Sequence, residues 1–272
     1  GTGLMGASVG LAARRRGDDV AGWDPDPGAL ATAAKRGALA AAATLEDAVR
    51  RADLAVVAAP IAQLPVEVAN VLAATADGTT VTDLGSTKAS VVAAADGSPR
   101  FVGGHPICGS EARGPEHASA ELFDGATWFV TPTAQTDAAR HRLVHGFVSD
   151  LGANPVAIDP QAHDRLVALT SHVPHVLANV VVNHTGAARI EGHEPLLNAG
   201  GSLRDMTRVA GANPRIWVDI FLDNREALLD GLREHGRRVD ELARALERED
   251  AGFVARWIGE AAGNRRRLLQ AA

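Results

Sequence analysis

Tyrosine is absent from the 272 residues, cysteine occurs once, at Cys108, and lysine only at Lys35 and Lys88, so nearly every basic side chain is an arginine. A single cysteine excludes intramolecular disulfides and, with no amino-terminal signal pattern, points to a cytoplasmic protein. No apolar run reaches the ~18 residues that a membrane span needs. The longest apolar helical segment, Leu166 to Val182, is interrupted by Ser171, His172, Pro174 and His175 and reads as a buried helix of a soluble protein. The net charge of -6 provides no basic surface for counterion release, so neither nucleic acid nor membrane is expected as a partner. An anionic substrate would have to be met by individually placed arginines.

What is present, 46% hydrophobic and 22% charged residues, suits a globular chain of about two domains at roughly 100 to 200 residues each. The first half alternates short β-branched runs with alanine-rich stretches, the pattern of parallel strands joined by crossover helices. Expected strands are Asp19 to Trp23, Asp53 to Ala58, Thr79 to Leu84, Phe101 to Gly103, Thr127 to Thr131 and Pro155 to Ile158, with helices between them such as Ala7 to Arg16 and Ile61 to Ala76. After Asp159-Pro160 helical periodicity takes over, through Leu166 to His184, Trp217 to His235 and Val239 to Leu269. The expected fold is α/β: an N-terminal Rossmann-type dinucleotide-binding domain, residues 1–159, followed by an all-α substrate and dimerisation domain, residues 160–272. The apolar stripe Val239, Leu242, Ala243 and Leu246 beside a charged face suits a homodimer formed through that second domain.

The chain opens Gly1-Thr2-Gly3-Leu4-Met5-Gly6, the G-x-G-x-x-G spacing, and then a helical stretch. In that motif the first glycine permits a tight turn, the second lets backbone approach a pyrophosphate, and the third lets the helix pack on the sheet. Asp24 falls about 20 residues on, at the end of the next strand, where a carboxylate can accept hydrogen bonds from ribose hydroxyls. A 2'-phosphate would meet like charge there, which favours NAD over NADP. The strand that the motif calls for ahead of Gly1 lies outside the 272 residues.

Four further clusters attract attention. Asp83-Leu84-Gly85-Ser86-Thr87-Lys88 and Gly103-Gly104-His105-Pro106-Ile107-Cys108-Gly109-Ser110-Glu111 each follow a strand, where ligands gather in open α/β sheets. Ser171-His172-Val173-Pro174-His175 interrupts the apolar helix, and Arg204-Asp205-Met206-Thr207-Arg208 follows. His172 and His175 share a helix face, as do His141 and His145, but neither pair has the Glu or Cys companions of a zinc site, so no metal is expected. Taken in order, and with Asn213-Pro214 and Trp217-x-Asp219-Ile220 downstream, these segments closely resemble the prephenate/arogenate dehydrogenase family of tyrosine biosynthesis, from Gly1 to about Asn224.

That resemblance implies NAD-dependent oxidative decarboxylation of a cyclohexadienyl substrate: prephenate first, with arogenate or an amino-substituted prephenate as the alternatives. It implies a catalytic His105 and a Ser86 beside it. It puts Arg208, His175, His172, Ser110, Glu111 and Arg204 around the substrate, and Gly1, Gly3, Leu4, Met5, Gly6, Asp24, Pro60 and Ser86 around the cofactor. The chemistry agrees at two positions. An imidazole can accept a hydroxyl proton near neutral pH, and the guanidinium fork of Arg208 matches a carboxylate bidentately. Bland readings stand beside these: His105 as a strand-end residue before Pro106, Arg208 as a surface ion pair with Asp205, Ser110 and Glu111 as a helix cap, and Lys88 as a solvent-facing lysine at a helix start. Cys108 reads as packing, since the reaction has no covalent step. A hydroxyacid dehydrogenase of the 6-phosphogluconate type would need a lysine in the helical half, which has none. An NAD-binding regulatory protein without turnover would have no use for Ser86, His105, His175 and Arg208 together.

Overall fold

In the computed structural model, which describes residues 1–108 and 112–270, the β-branched runs become strands and the alanine-rich runs become helices. The order is α1 (Leu4–Arg15), β1 (Ala21–Gly22), α2 (Pro27–Lys35), β2 (Ala40–Ala41), α3 (Leu45–Val49), β3 (Leu54–Val57), α4 (Leu64–Ala74), β4 (Thr80–Asp83), α5 (Ala89–Ala94), β5 (Phe101–Pro106), β6 (Thr127–Thr131), α6 (Ala138–Asp150) and β7 (Asn154–Ala157). Helices alone follow: α7 (Pro160–Val167), α8 (Val173–Ala187), α9 (Gly201–Thr207), α10 (Pro214–Asp223), α11 (Arg225–Glu247) and α12 (Ala251–Gln270). Contacts group the chain into two units, Gly1–Arg225 and a second from Glu226 onward. All the strands belong to the first.

The main sheet has the order β3-β4-β5-β6-β7, and β1-β2 form a separate parallel pair. Strands β3, β4 and β5 are parallel, as expected, but β6 runs antiparallel to β5. An antiparallel neighbour needs no crossover helix, and the described part of the β5–β6 connection holds only a short 3₁₀ turn at Pro115–His117. Side chains of β4, β5 and β6 are buried on both faces, the mark of a sheet with helices on each side, whereas the edge strand β7 is largely exposed. Val102, Val130 and Trp128 pack with Val9, Ala12, Val144 and Val148 of α1 and α6. On the other face Val57, Val81 and Phe101 pack with Leu64, Val68 and Val91 of α4 and α5.

Helix starts follow local chemistry. The Asp159 side chain accepts Ala162 N at 2.9 Å and Pro160 occupies the first turn, so α7 begins where the strands end. The long apolar stretch is not one regular helix. A π turn at Ala168–His172 joins α7 to α8 just ahead of Pro174, which lacks an amide hydrogen to donate. Pro160–Ala187 is by length and composition apolar enough to cross a membrane, yet it carries His163, Asp164 and His172 as buried groups. Two expected helical runs are interrupted. Asn224 separates α10 from α11 because its side chain turns inward, and Glu249, at φ +54°, precedes a fresh start at α12 capped by Asp250.

Lys88 is wholly buried, not facing solvent. Its Nζ donates to the equally buried carboxylate of Asp83 and to Gly104 O at 2.8 Å, while Asp83 also accepts Gly85 N at 2.8 Å and Gly104 N at 3.0 Å. A Cβ at position 104 would stand 2.6 Å from Asp83 O, so this approach of β5 to β4 requires glycine. The pair therefore fastens the end of β5 over the β4–α5 loop. Lys88→Ala should lower stability by about 3–5 kcal/mol by leaving Asp83 charged and unpaired. Urea unfolding of Lys88→Ala and of the double variant with Asp83→Asn checks this: the double variant should recover part of the loss.

Candidate active site

Because β3, β4 and β5 are parallel and in register, their carboxyl ends meet along one edge of the sheet. The glycine loop sits at that edge. Gly1 N donates to Trp23 O at 3.0 Å, just beyond β1, and a Cβ on Gly1 would lie 2.2 Å from Ala58 O, just beyond β3. At Gly6 a Cβ would lie 2.1 Å from Gly1 O, whereas at Gly3 it would meet nothing within 4 Å. So the first and third glycines are needed for close packing and the second faces open space. Gly3 is the N-cap of α1 and brings no capping side chain, and the first turn, including Leu4 and Met5, has no acidic residue. Its amides and the helix dipole suit an anion. Asp24 is held against the loop: Oδ2 accepts Thr2 N at 2.5 Å and Thr2 Oγ1 at 3.1 Å, and Oδ1 accepts Asp26 N at 2.9 Å. Pro60 is exposed beyond β3. These are the features a dinucleotide would use, and the residues present fit one.

Farther along the same edge, β5 delivers His105 and the β4–α5 loop delivers a partly buried Ser86. His105 Nδ1 lies 2.9 Å from His163 Nε2, and His163 Nδ1 lies 2.8 Å from Asp164 Oδ1. Asp164 also accepts Lys88 N at 2.8 Å and Ala89 N at 2.9 Å, which joins α7 to the start of α5. The His105 imidazole is held well below its ordinary range, first by burial and then by the positive potentials of His163, Lys88 and His172. The ring is therefore uncharged at pH 7.

His175 and His172, from α8 and its π turn, both pack against Trp217 but differ in burial. His175 is partly exposed, stacks on Trp217 with ring centroids 3.4 Å apart, and pairs its Nδ1 with Ser171 O at 3.1 Å, which leaves Nε2 as the acceptor. Its pKa is lowered by burial and, among smaller causes, by the charge of Arg208, so the guanidinium is in its neighbourhood. His172, expected beside the substrate, is 2% exposed and turned inward, 3.2 Å from Asn224 Nδ2. Asn224 in turn donates to Asp164 O at 2.8 Å. Arg208 and Arg204 are both exposed. Ser110 and Glu111 lie outside the described residues. Cys108 packs against the core, and burial raises its thiol to about 11, as befits a packing residue.

Three members of this network went unread in the sequence: His163, Asp164 and Asn224. A signal existed for the first two. Pro160, His163, Asp164 and Val167 have the i, i+3, i+4, i+7 spacing of a buried helix face, and two of the four are polar.

The family model described as the prephenate dehydrogenase nucleotide-binding domain matches residues 9–157, and the one described as the prephenate dehydrogenase dimerization domain matches residues 159–260. The prephenate dehydrogenase of Bacillus subtilis is 32% identical over 268 residues, covering 95% of this chain and 72% of the relative. Among solved structures, the prephenate dehydrogenase of A. aeolicus in complex with hydroxyphenyl propionate and NAD+ superposes with a TM-score of 0.91 at 28% identity, covering 98% of this chain and 96% of that one. The arogenate dehydrogenase of Synechocystis superposes with a TM-score of 0.89 at 26% identity, covering 98% and 97%.

The buried histidines make stability depend on pH. Burial pushes His172 down to about 4, only partly offset by Asp164. Unfolding restores its ordinary value near 6.5, so the unfolded chain gains a proton that the folded chain refuses. The contribution of this ring is complete above pH 6.5 and is lost as pH falls towards 4. Urea midpoints should drop across that window in the native protein and drop less steeply in His172→Gln.

Proposed function

Because the chain belongs to the prephenate dehydrogenase family, we infer that it carries out the NAD-dependent oxidative decarboxylation of prephenate to 4-hydroxyphenylpyruvate, a step of tyrosine biosynthesis. It is an enzyme, an oxidoreductase. NAD, when bound, supplies the acceptor for a hydride. We assign its phosphates to the α1 amides around Gly3, Leu4 and Met5, and its ribose to Asp24. The observation that carries the residue assignment is the state of His105: a neutral imidazole at the carboxyl end of β5, tied through Nδ1 to His163.

Prephenate has a ring carbinol and two carboxylates. His105, with Ser86 beside it, takes the hydroxyl proton as the carbinol C–H electron pair leaves as hydride and the C–O bond becomes a carbonyl. The ring carboxylate then leaves as carbon dioxide, its C–C electron pair completes the aromatic ring, and the resulting phenolate oxygen takes a proton back. Aromatisation drives the sequence forward, so the protein has to orient and exchange one proton rather than stabilise a high-energy species. Arg208, with His175 near it and Arg204 one helical turn away, meets the substrate carboxylates. His175 is kept flat against Trp217 and presents an uncharged Nε2.

The second unit exposes Val239 and Leu246 on α11 and Trp257, Ile258, Leu268 and Leu269 on α12. Apolar surface of this extent is usually covered, and a homodimer formed through the helical domain is part of this proposal. So are a cytoplasmic setting and a division of the chain at Asp159 into cofactor and substrate domains. Sedimentation velocity should show a dimer, and Val239→Glu with Leu246→Glu should shift it towards monomer.

Initial rates of NADH formation with prephenate and arogenate, each with NAD+ and NADP+, test the assignment. The expected result is a preference for prephenate with NAD+. His105→Ala should reduce kcat roughly 10²- to 10⁴-fold, as loss of a general base does; near-native turnover refutes its role. Arg208→Lys should raise KM for prephenate far more than it lowers kcat. Since the base must be neutral and its pKa is depressed, kcat should stay level as pH falls through 6.5 and decline only well below it.

A further inference from the structure

Building on the assignment of His105 as the base, we propose that His163 and Asp164 are positioning residues: they hold the His105 ring in the tautomer whose Nε2 lone pair faces the substrate hydroxyl, and they share the charge when the proton arrives. The Asp164 carboxylate accepts Lys88 N at 2.8 Å on one oxygen and Ala89 N at 2.9 Å on the other. An anionic carboxylate only accepts, so the hydrogen between it and His163, across 2.8 Å, belongs to His163 Nδ1. A neutral His163 then has its lone pair on Nε2. His105 Nδ1, 2.9 Å from that atom, has to carry a hydrogen, and His105 Nε2 is left as the acceptor. The reverse order, with both hydrogens on His163, would bury a second cation in the neighbourhood of the Lys88 ammonium.

The surroundings keep this arrangement rigid. His163 is fully buried and meets Phe129 edge-on with ring centroids 5.4 Å apart. The Asp164 carbonyl is held by Asn224 at 2.8 Å. Leucines at 163 and 164 would fill the same helix face without desolvating a carboxylate, so packing alone does not account for the pair. Its chemical use follows from the proton balance of the reaction. When His105 Nε2 accepts the hydroxyl proton, the Nδ1 hydrogen moves towards His163 Nε2, and the positive charge spreads over two rings and ends against the Asp164 anion. When carbon dioxide has left, the phenolate oxygen recovers a proton from His105 Nε2 and the hydrogens return to their first positions. Nothing is oxidised or reduced in the relay, and no net proton leaves the site.

The test uses the full chain. In protein labelled with ¹⁵N-histidine, His105, identified by its absence from His105→Ala, should show a protonated Nδ1 and an unprotonated Nε2 at pH 7.5. In His163→Phe, which keeps a ring in the buried space, that bias should vanish and kcat should fall about 10- to 100-fold, the usual cost of losing an orienting partner, with KM for prephenate changed less than about threefold. His163→Gln keeps an acceptor oxygen for the Nδ1 hydrogen and should recover at least half of that loss on a logarithmic scale. A protonated Nε2 on His105 in the native protein overturns the proposal, and this reading does not depend on any variant folding. So does His163→Phe with native kcat, or His163→Gln no better than His163→Phe. If His105→Ala is itself unimpaired, the fault lies with the base assignment; if His105→Ala is crippled while both His163 variants are native-like, only the positioning role fails.

Discussion

A carboxylate placed inside a protein has to be met by donors from wherever the chain can supply them, and the site of this enzyme is arranged around the way Asp164 meets that demand. Its two oxygens collect the amides of Lys88 and Ala89 and the ring of His163, and its carbonyl collects Asn224. Four segments that are remote in sequence are thereby drawn together: the β4–α5 loop, α7, the α10–α11 junction and, through His163, the end of β5. Removing Lys88 N, Ala89 N or the His163 ring would leave the buried carboxylate short of a partner, and removing Asn224 would leave a buried carbonyl unpaired, which is why this node is stiff.

A second buried charge supports the first. The Lys88 ammonium and the Asp83 carboxylate lie side by side with no exposure, and Gly103-Gly104 lets β5 settle on them closely enough for backbone hydrogen bonds. His105 comes one residue after Gly104, so its position is set by that ion pair before any substrate is present. This edge of the sheet therefore has two kinds of support. The glycine-loop end is built from backbone, with glycines where side chains would collide and no capping side chain at the start of α1. The His105 end is built from side chains that hydrogen-bond to one another. Backbone suits recognition of a cofactor common to many enzymes, whereas side chains can be tuned to one substrate.

Much of the fold was legible because it rests on local rules. Alternating β-branched and alanine-rich runs mark strands and helices, Asp159-Pro160 marks a helix start, and the glycine spacing with Asp24 marks a loop for an anion. The misreadings have local causes too. Parallel pairing was assumed for β6 because a strand's direction is not written in its own residues. The breaks at Asn224 and Glu249 were missed because helix periodicity continues across them. The family resemblance puts His172 beside the substrate with His175, but its ring is buried and bonded to Asn224, a contact that depends on the packing of a remote segment.

By itself, then, the amino-acid order determined the α/β class, the glycine loop and its carboxylate, and the short lists of residues able to exchange a proton or grip a carboxylate. Those properties depend on residue type and on neighbours a few positions away. The folded chain alone decided that His105 would meet His163, 58 positions along, that Lys88 would be buried and that Asn224 would hold Asp164. Each is a directional contact that works only within a few tenths of an ångström, and such distances between remote segments are set by packing, which no local pattern encodes.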